Sequence, residues 1–559
     1  MPDTSDPLAV AVHERNSAGR SATERTQLDD VWEQISHYMM PTEGHFQERV
    51  HSESVHYILK NRTVLDSTGA RSLELSASFL HTLLNNPATR WIDMSVVGKT
   101  TEELSTDAQI WLEHELSNKM LHAVAGPQSS LYGDLHTLYM SLLAFGTACL
   151  FIEGQNGHIQ TRHISMADIV IDENVYGAVD TVFRSVRMTA RQAQQRWPKK
   201  SMEDLGPALK AEKGSHHQEH RRVPFLHAVF PTDDQAMMEH IPASVREKLK
   251  FFPFASVWTN DEDKMTVSIK GYGEFPYCVP RWYKVKDNVY GRSPGMTTLP
   301  DVRMANRMKE TILRGGEKLV DPPLLIPEGS ILSPVRLMPG GITFTNGNQG
   351  PQPLIPPGAS RIEFGQALLE QTQQSIREGF FTTLLLTPDS PVRTATEVLQ
   401  LADERNKAIA PMLIRLYQEL FHTLVARVYG VLNRAGVFKS APSDLQGQSI
   451  SLQYVSPMVA SQRQTEALGT ARMLEGIIPM AQADPGVVDY IHPERYVKAI
   501  HSGSGAPANV LRTKSEIKAI QEQRAAQSQA AQAQELIPAI EAQAKTRTAD
   551  AALLKAQKG

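Results

Sequence analysis

The chain has 559 residues, 57 Lys+Arg against 61 Asp+Glu, and two cysteines, Cys149 and Cys278. That length holds several modules and a sizeable core, the near balance of charge excludes binding to nucleic acid or an anionic membrane by bulk charge alone, and two cysteines exclude a disulfide framework. The N-terminus MPDTSDPLAVAVHERN lacks a basic segment followed by an apolar core, and the most apolar run, Leu138 to Ile152, is too short to span a bilayer, so a reducing cytosolic birthplace without membrane insertion is expected.

Residues 1–24 read as a polar, flexible arm. Helical spacing then runs to residue 150, clearest in Ala70, Leu73, Ala77, Leu80 and Leu84, three and four apart. From Ala148 to Arg187 the pattern changes to short β runs, CLFIEG, HIQTRHI, DIVIDE and VDTVFRSV, separated by Gly and Asp-Glu-Asn breaks. Residues 199–222 are charged and poorly patterned, as in a surface insertion, and FLHAVF, ASVWT, TVSIKGY and YCVPRWYKV return to strand. Residues 25–295 therefore predict an α+β domain within a predominantly α-helical chain.

The turn YGRSPGMTTLP leads into a helix predicted over 296–320. Val302, Ala305, Met308, Ile312 and Leu319 form its apolar line, and Arg303, Arg307, Glu310, Arg314 and Glu317 form a charged one. A second helix, 361–386, has a thin apolar line of Leu369, Thr372, Ile376 and Phe380, which suits packing among helices of other subunits. Between them, residues 321–360 carry nine Pro and six Gly, a composition that suggests disorder. Yet Ile331, Leu332, Val335, Leu337 and Phe344 are among many apolar residues there, and only Asp321, Glu328 and Arg336 are charged, the reverse of what keeps a chain unfolded. A compact, turn-rich module that hides apolar surface is expected. TPDSPVR, residues 387–393, is a double-proline loop containing Asp389 and Arg393. Thr394 and Glu397 have capping-box spacing, and a helix is predicted from there to a stop at Gly436, kinked at Pro411. The last fifty residues, rich in Ala, Gln, Lys and Glu, read as a solvated or oligomer-dependent helix, partly frayed.

Motifs for catalysis are sparse. HHQEH, His216 to His220, matches the H-x-x-E-H arrangement of a class of zinc peptidase. Lys213-Gly214-Ser215 before it and Arg221-Arg222 after it leave no apolar stripe to hold a rigid ligand helix, so a solvated polar loop is the better reading. No G-x-x-x-x-G-K-[ST] phosphate loop, G-x-S-x-G elbow or strand-associated G-x-G-x-x-G is present. No catalytic residue, metal ligand or cofactor is assigned. The charged line from Arg303 to Glu317 has two readings, a face toward DNA or a solvated face.

The segments VLDSTGARSLELSASFLHTLLNNPATRWIDM, LLAFGTACLFIEG, FPYCVPRWYKVKDNVYGRSPGMTTLPDV, PVRTATEVLQLADERN and YVSPMVASQRQ resemble, in this order, the portal (head-to-tail connecting) proteins of short-tailed bacteriophages, over roughly residues 25 to 500. The resemblance implies a non-enzymatic homo-oligomeric ring, typically a dodecamer, at one capsid vertex of the virion. Double-stranded DNA passes through it without sequence specificity, driven by a separate terminase, and capsid, scaffolding and tail or adaptor proteins bind around it. In those terms residues 25–295 would be the wing, 296–320 and 361–386 the stem helices, and 321–360 the clip. Residues 387–393 would be a channel loop, 394–436 a kinked joining helix, 437–510 the crown, and 511–559 a C-terminal helix or barrel. Arg303, Arg307, Glu310, Arg314, Glu317, Asp389 and Arg393 become candidates to face the channel. Ile331, Leu332, Val335, Arg336, Leu337 and Phe344 become candidates for clip docking and subunit contact. A ring repeats every charge in each subunit, so a strongly basic lining would hold DNA by counterion release, whereas a balanced face lets it slide. A zinc peptidase on HHQEH and a different phage scaffold or tail component are the alternatives.

Overall fold

The computed structural model describes residues 6–43, 46, 64–87, 90–97, 104–127, 129–155, 157–209, 222–320, 324–325, 352–353, 360–382, 413–448, 450–454, 457–483, 486, 490–504, 510, 512 and 516–528. They form a mixed α+β structure, mostly helical, in two compact units: residues 1–91 with 122–437, and residues 92–121 with 438–559.

In the first unit, helices α1 (Pro7–Ser21), α2 (Thr23–Tyr38), α3 (Thr68–Leu84) and α4 (Leu131–Phe145) precede the strands. The segment expected to be a flexible arm is thus a helix. Asp6 caps it by accepting from the Leu8 amide at 3.1 Å, Pro7 occupies the first turn, and Leu8, Ala9 and Val12 are buried. One five-residue apolar run, Leu8 to Val12, in an otherwise polar stretch is a weak signal, but the sheet it covers supplies its partners. We expect Val12→Ala to lower unfolding free energy by about 1.5 kcal/mol in a denaturant titration; an unchanged midpoint would mean the helix lies free in solution.

That sheet is an antiparallel meander of β4 (Ile169–Glu173), β5 (Val179–Thr189), β6 (Arg222–Pro231), β7 (Phe254–Asn260) and β8 (Met265–Tyr272), in this order. A three-stranded antiparallel sheet orders β3 (His158–Ile164), β2 (Cys149–Gln155) and β9 (Tyr277–Cys278). Side chains alternate across a strand, and the β6 residues divide accordingly. Leu226, Ala228 and Phe230 pack with Leu8, Val12 and Met237 on one face, and Val223 and Phe225 with Trp197, Leu205, Leu209 and Trp258 on the other. Leu205 and Leu209 lie in the expected surface insertion 199–222, whose first part therefore covers the sheet; residues 210–221, with HHQEH, lie outside the described residues. The register sets Leu150 opposite Cys278, so Cys149 points to the other face of its sheet, and both thiols are free and buried.

Two short strands, β10 (Tyr283–Lys284) and β11 (Gly291–Arg292), then deliver the chain into α5 (Pro294–Val320). Here Gly146 (φ 80°), which ends α4, meets Gly291 backbone to backbone, and a Cβ on either would strike the other's carbonyl oxygen or carbon. Gly146 leaves room for no other residue. After α5, Leu324 and Leu325 pair with Pro353 and Gln352 as β12 and β13, so the two ends of the Pro/Gly-rich stretch meet; residues 326–351 lie outside the described residues. The chain continues in α6 (Ser360–Gly379). It stops seven residues short of the expected end, where Phe381 takes a left-handed backbone (φ 61°) and the Thr382 hydroxyl donates to the Arg377 carbonyl. A last helical stretch, 413–434, passes through a π-turn at Tyr417–His422 into α7 (Thr423–Arg434). Its stop is as expected: Gly436 has φ 70°, Val437 N donates to Leu432 O and Gly436 N to Asn433 O, a Schellman closure. Pro411 and residues 387–393 lie outside the described residues.

In the second unit, β1 (Ile92–Val96) pairs antiparallel with β14 (Ile450–Tyr454). Residues 92–121, placed within the 25–295 domain by sequence order, thus belong with the C-terminal region. Helices Pro457–Ala483 and Pro493–Ser504 follow, and the Lys498 ammonium donates to the Leu104 carbonyl at 3.2 Å. No helix among the described residues is long and apolar enough to cross a membrane.

Candidate functional site

Helices α5 and α6 form an antiparallel hairpin. The pairing is read from Met308 against Thr372, Ile312 over Gly365, and Ile362 over Gly315. Its root is fixed in the α+β body: the Ser293 hydroxyl donates to the Ala144 carbonyl at 2.7 Å and accepts from the Met296 amide at 2.9 Å, and Val302 and Ala305 are buried. Twenty-seven residues make α5 about 40 Å long. In α6 the thin apolar line Leu369, Thr372, Ile376 and Phe380 is buried within the chain itself, with the Ser76 hydroxyl of α3 donating to the Phe380 carbonyl at 2.6 Å. Expecting that line to face other subunits was therefore wrong, because α3 and α5 already cover it.

The five charged residues of α5 share one outward stripe. Arg303, Arg307, Arg314 and Glu317 are exposed and Glu310 is partly so. Arg314 pairs with Glu310 at 2.5 Å, and Arg303 donates to the Gln34 side-chain oxygen of α2 at 3.2 Å. At about 100° per residue the stripe lies opposite the side that meets α6. Asp389, Arg393, Ile331, Leu332, Val335, Arg336, Leu337 and Phe344 lie outside the described residues.

Sequence reasoning missed a second stripe. Glu363, Glu370 and Glu378, with Gln371 and Gln374, are exposed on the side of α6 away from α5. Three carboxylates against one cation, the exposed Arg377 one heptad after Glu370, leave it acidic, whereas three Arg against two Glu leave the α5 stripe slightly basic. The same spacing test that singled out α5 finds it. The hairpin thus carries opposite charge on its two outward faces.

A buried ionic cluster, also unread in the sequence, braces the body from which the hairpin projects. Arg281, fully buried, donates to Glu173 at 2.7 Å, Glu419 at 2.7 Å, the Gly177 carbonyl at 2.6 Å and the Val289 carbonyl at 3.1 Å, and Lys284 bonds Glu173 at 2.6 Å. Burial raises the Glu173 carboxyl, but the bonds from Lys284 and Arg281 outweigh it and hold the group below its usual range. The signal available was one Arg inside the apolar run YCVPRWY. Among the described residues no group of three or more His, Cys, Asp or Glu could hold a metal ion.

The chain is 26% identical over 541 residues to the "Portal protein" of Salmonella phage epsilon15, covering 94% of this chain and 92% of that one. It is 25% identical over 528 residues to the "Probable portal protein" of Bordetella phage BPP-1, covering 92% and 91%. Among solved structures, a chain in the neck of an empty GTA particle computed with C6 symmetry has a TM-score of 0.32 at 11% identity, covering 73% of this chain and 88% of that one. A chain in the virion of a native gene transfer agent particle has 0.30 at 13%, covering 74% and 87%. The family model for the bacteriophage head to tail connecting protein matches residues 15–511, a span that contains the helical hairpin and both sheets of the first unit. By that match the chain belongs to the bacteriophage head-to-tail connecting protein family.

Proposed function

We infer that this chain is the portal subunit of a phage virion: copies assemble into a ring at one capsid vertex, double-stranded DNA enters and leaves through its channel, and the ring joins head to tail. The observation that carries this reading is the family match over residues 15–511, together with full-length similarity to two phage proteins bearing the portal name. The role is structural, not enzymatic. A separate terminase supplies the ATP-driven work, and capsid, scaffolding and tail proteins are the remaining partners. The ring is a dodecamer, with α5 and α6 as stem helices and the residues between them as clip. The meeting of residues 324–325 with 352–353 supports the last assignment, since it makes that stretch an insertion hung from the end of the hairpin.

The α5 stripe is our candidate channel lining, because near-balanced charge lets a polyanion slide while a basic ring would retain it. Reversing Arg303, Arg307 and Arg314 to Glu is expected to leave rings intact by electron microscopy and to lower the yield of packaged DNA. The acidic stripe of α6 supports a second reading, in which that face lines the channel and repels phosphate. Then changing Glu363, Glu370 and Glu378 to Lys stalls packaging, while the Arg reversals leave it unaffected. An assembly without a central channel overturns both.

A further inference from the structure

The distal half of the hairpin exposes more apolar surface than a solvent-facing helix pair needs. On one flank Ile312, Leu313, Gly316 and Val320 of α5 and Ile362 of α6 line an open groove of about 610 Å³, with Glu317 among its walls. On the other flank Phe364 is 72% exposed and Leu368 38%. Successive helical residues are about 100° apart, so Phe364, two residues after Ile362, points about 200° away from it. Groove and knob therefore lie on opposite sides of one hairpin. The charges repeat the arrangement. Lys318 is exposed and sits midway between Gly316 and Val320, so it points away from the groove, at the same height as Glu317.

We propose that the groove receives Phe364 and Leu368 of a neighbouring copy of this chain, with the neighbour's Lys318 set against Glu317. A patch that complements a different patch on the same molecule makes a heterologous contact, which propagates head to tail and closes into a ring when the rotation allows. This rests on the ring reading of the function and assigns its seam to named side chains. An unrelated occupant would account for the groove but not for a knob of matching chemistry and opposite charge on the other flank.

The test uses the full chain with Phe364→Glu, which removes the knob, and Leu313→Glu, which spoils the groove. Both positions are exposed, so circular dichroism should match the unsubstituted protein. In native mass spectrometry each variant alone is expected to stay monomeric. An equimolar mixture should form heterodimers and stop there, because the pair offers only one intact knob facing one intact groove. Glu317→Lys and Lys318→Glu should each lower ring yield, and the double exchange should restore it. Complete rings from either single variant, or mixed assemblies larger than dimers, overturn the proposed seam while leaving the portal reading in place. If the unsubstituted chain forms no ring, both fall together.

Discussion

Arg281→Ala is expected to lower the unfolding free energy of the α+β body by about 3–5 kcal/mol, the usual cost of deleting one partner from a buried ion pair. The guanidinium is fully buried and bridges three separate parts of the chain: Glu173 and Gly177 at the β4–β5 turn, its own strand end after β9, and Glu419 on the π-turn before α7. Removing it leaves Glu173 with Lys284 alone, and leaves Glu419 with the backbone amide of residue 281 at 2.8 Å and the half-exposed Arg415 at 3.5 Å. Arg281→Lys keeps the charge but loses the planar fork that reaches Glu173 and Glu419 together, so it should recover only part of the loss. Denaturant titration of the three proteins checks this. A loss below about 1 kcal/mol for Arg281→Ala, the range of exposed pairs, would mean that water enters the cluster.

Stability is expected to fall as pH rises from 6.5 to about 8, through Glu43 and His163. These side chains meet at 3.2 Å in a buried site, with the Ser165 hydroxyl on the other Glu43 oxygen at 3.2 Å. Burial raises the Glu43 carboxyl from 4.5 to about 8, assisted by Asp168 and opposed by the Ser165 bond. Burial lowers His163 from 6.5 to about 4, against the pull of Asp134. A raised folded-state pKa for Glu43 gives stability that is full below 4.5 and lost toward 8. A lowered one for His163 gives stability that is full above 6.5 and lost toward 4. Between 4.5 and 6.5 the two slopes cancel, since folded and unfolded chains each hold one proton on the pair. Above 6.5 only the Glu43 loss remains, about 2 kcal/mol by pH 8. Glu43→Gln should abolish that loss and keep the rise below 6.5. An unchanged slope between pH 6.5 and 8 in the variant would assign the effect to other groups.

Local pattern was enough for much of this protein. The short apolar runs CLFIEG, HIQTRHI and FLHAVF, bounded by breaks, marked β2, β3 and β6, the three-and-four spacing marked α3 and α5, and Gly436 marked the end of α7, because short β runs, helix amphipathicity and left-handed caps each depend on a few neighbouring residues. The five charged residues of α5 were legible for the same reason, and so was the acidic line of α6, had it been tested. What the tertiary structure alone decided is set by partners far along the chain. Leu8 and Val12 count as core only because the meander supplies a face for them, and Ile92–Val96 leaves its sequence neighbours because its hydrogen-bonding edge is satisfied by Ile450–Tyr454. Arg281 reads as one charge in an apolar run until Glu173 and Glu419 arrive from opposite sequence directions. The α6 line from Leu369 to Phe380 shows that a buried face was present, but a stripe of apolar residues records only that something covers it; that α3 and α5 of the same chain do so is a matter of how the hairpin folds back.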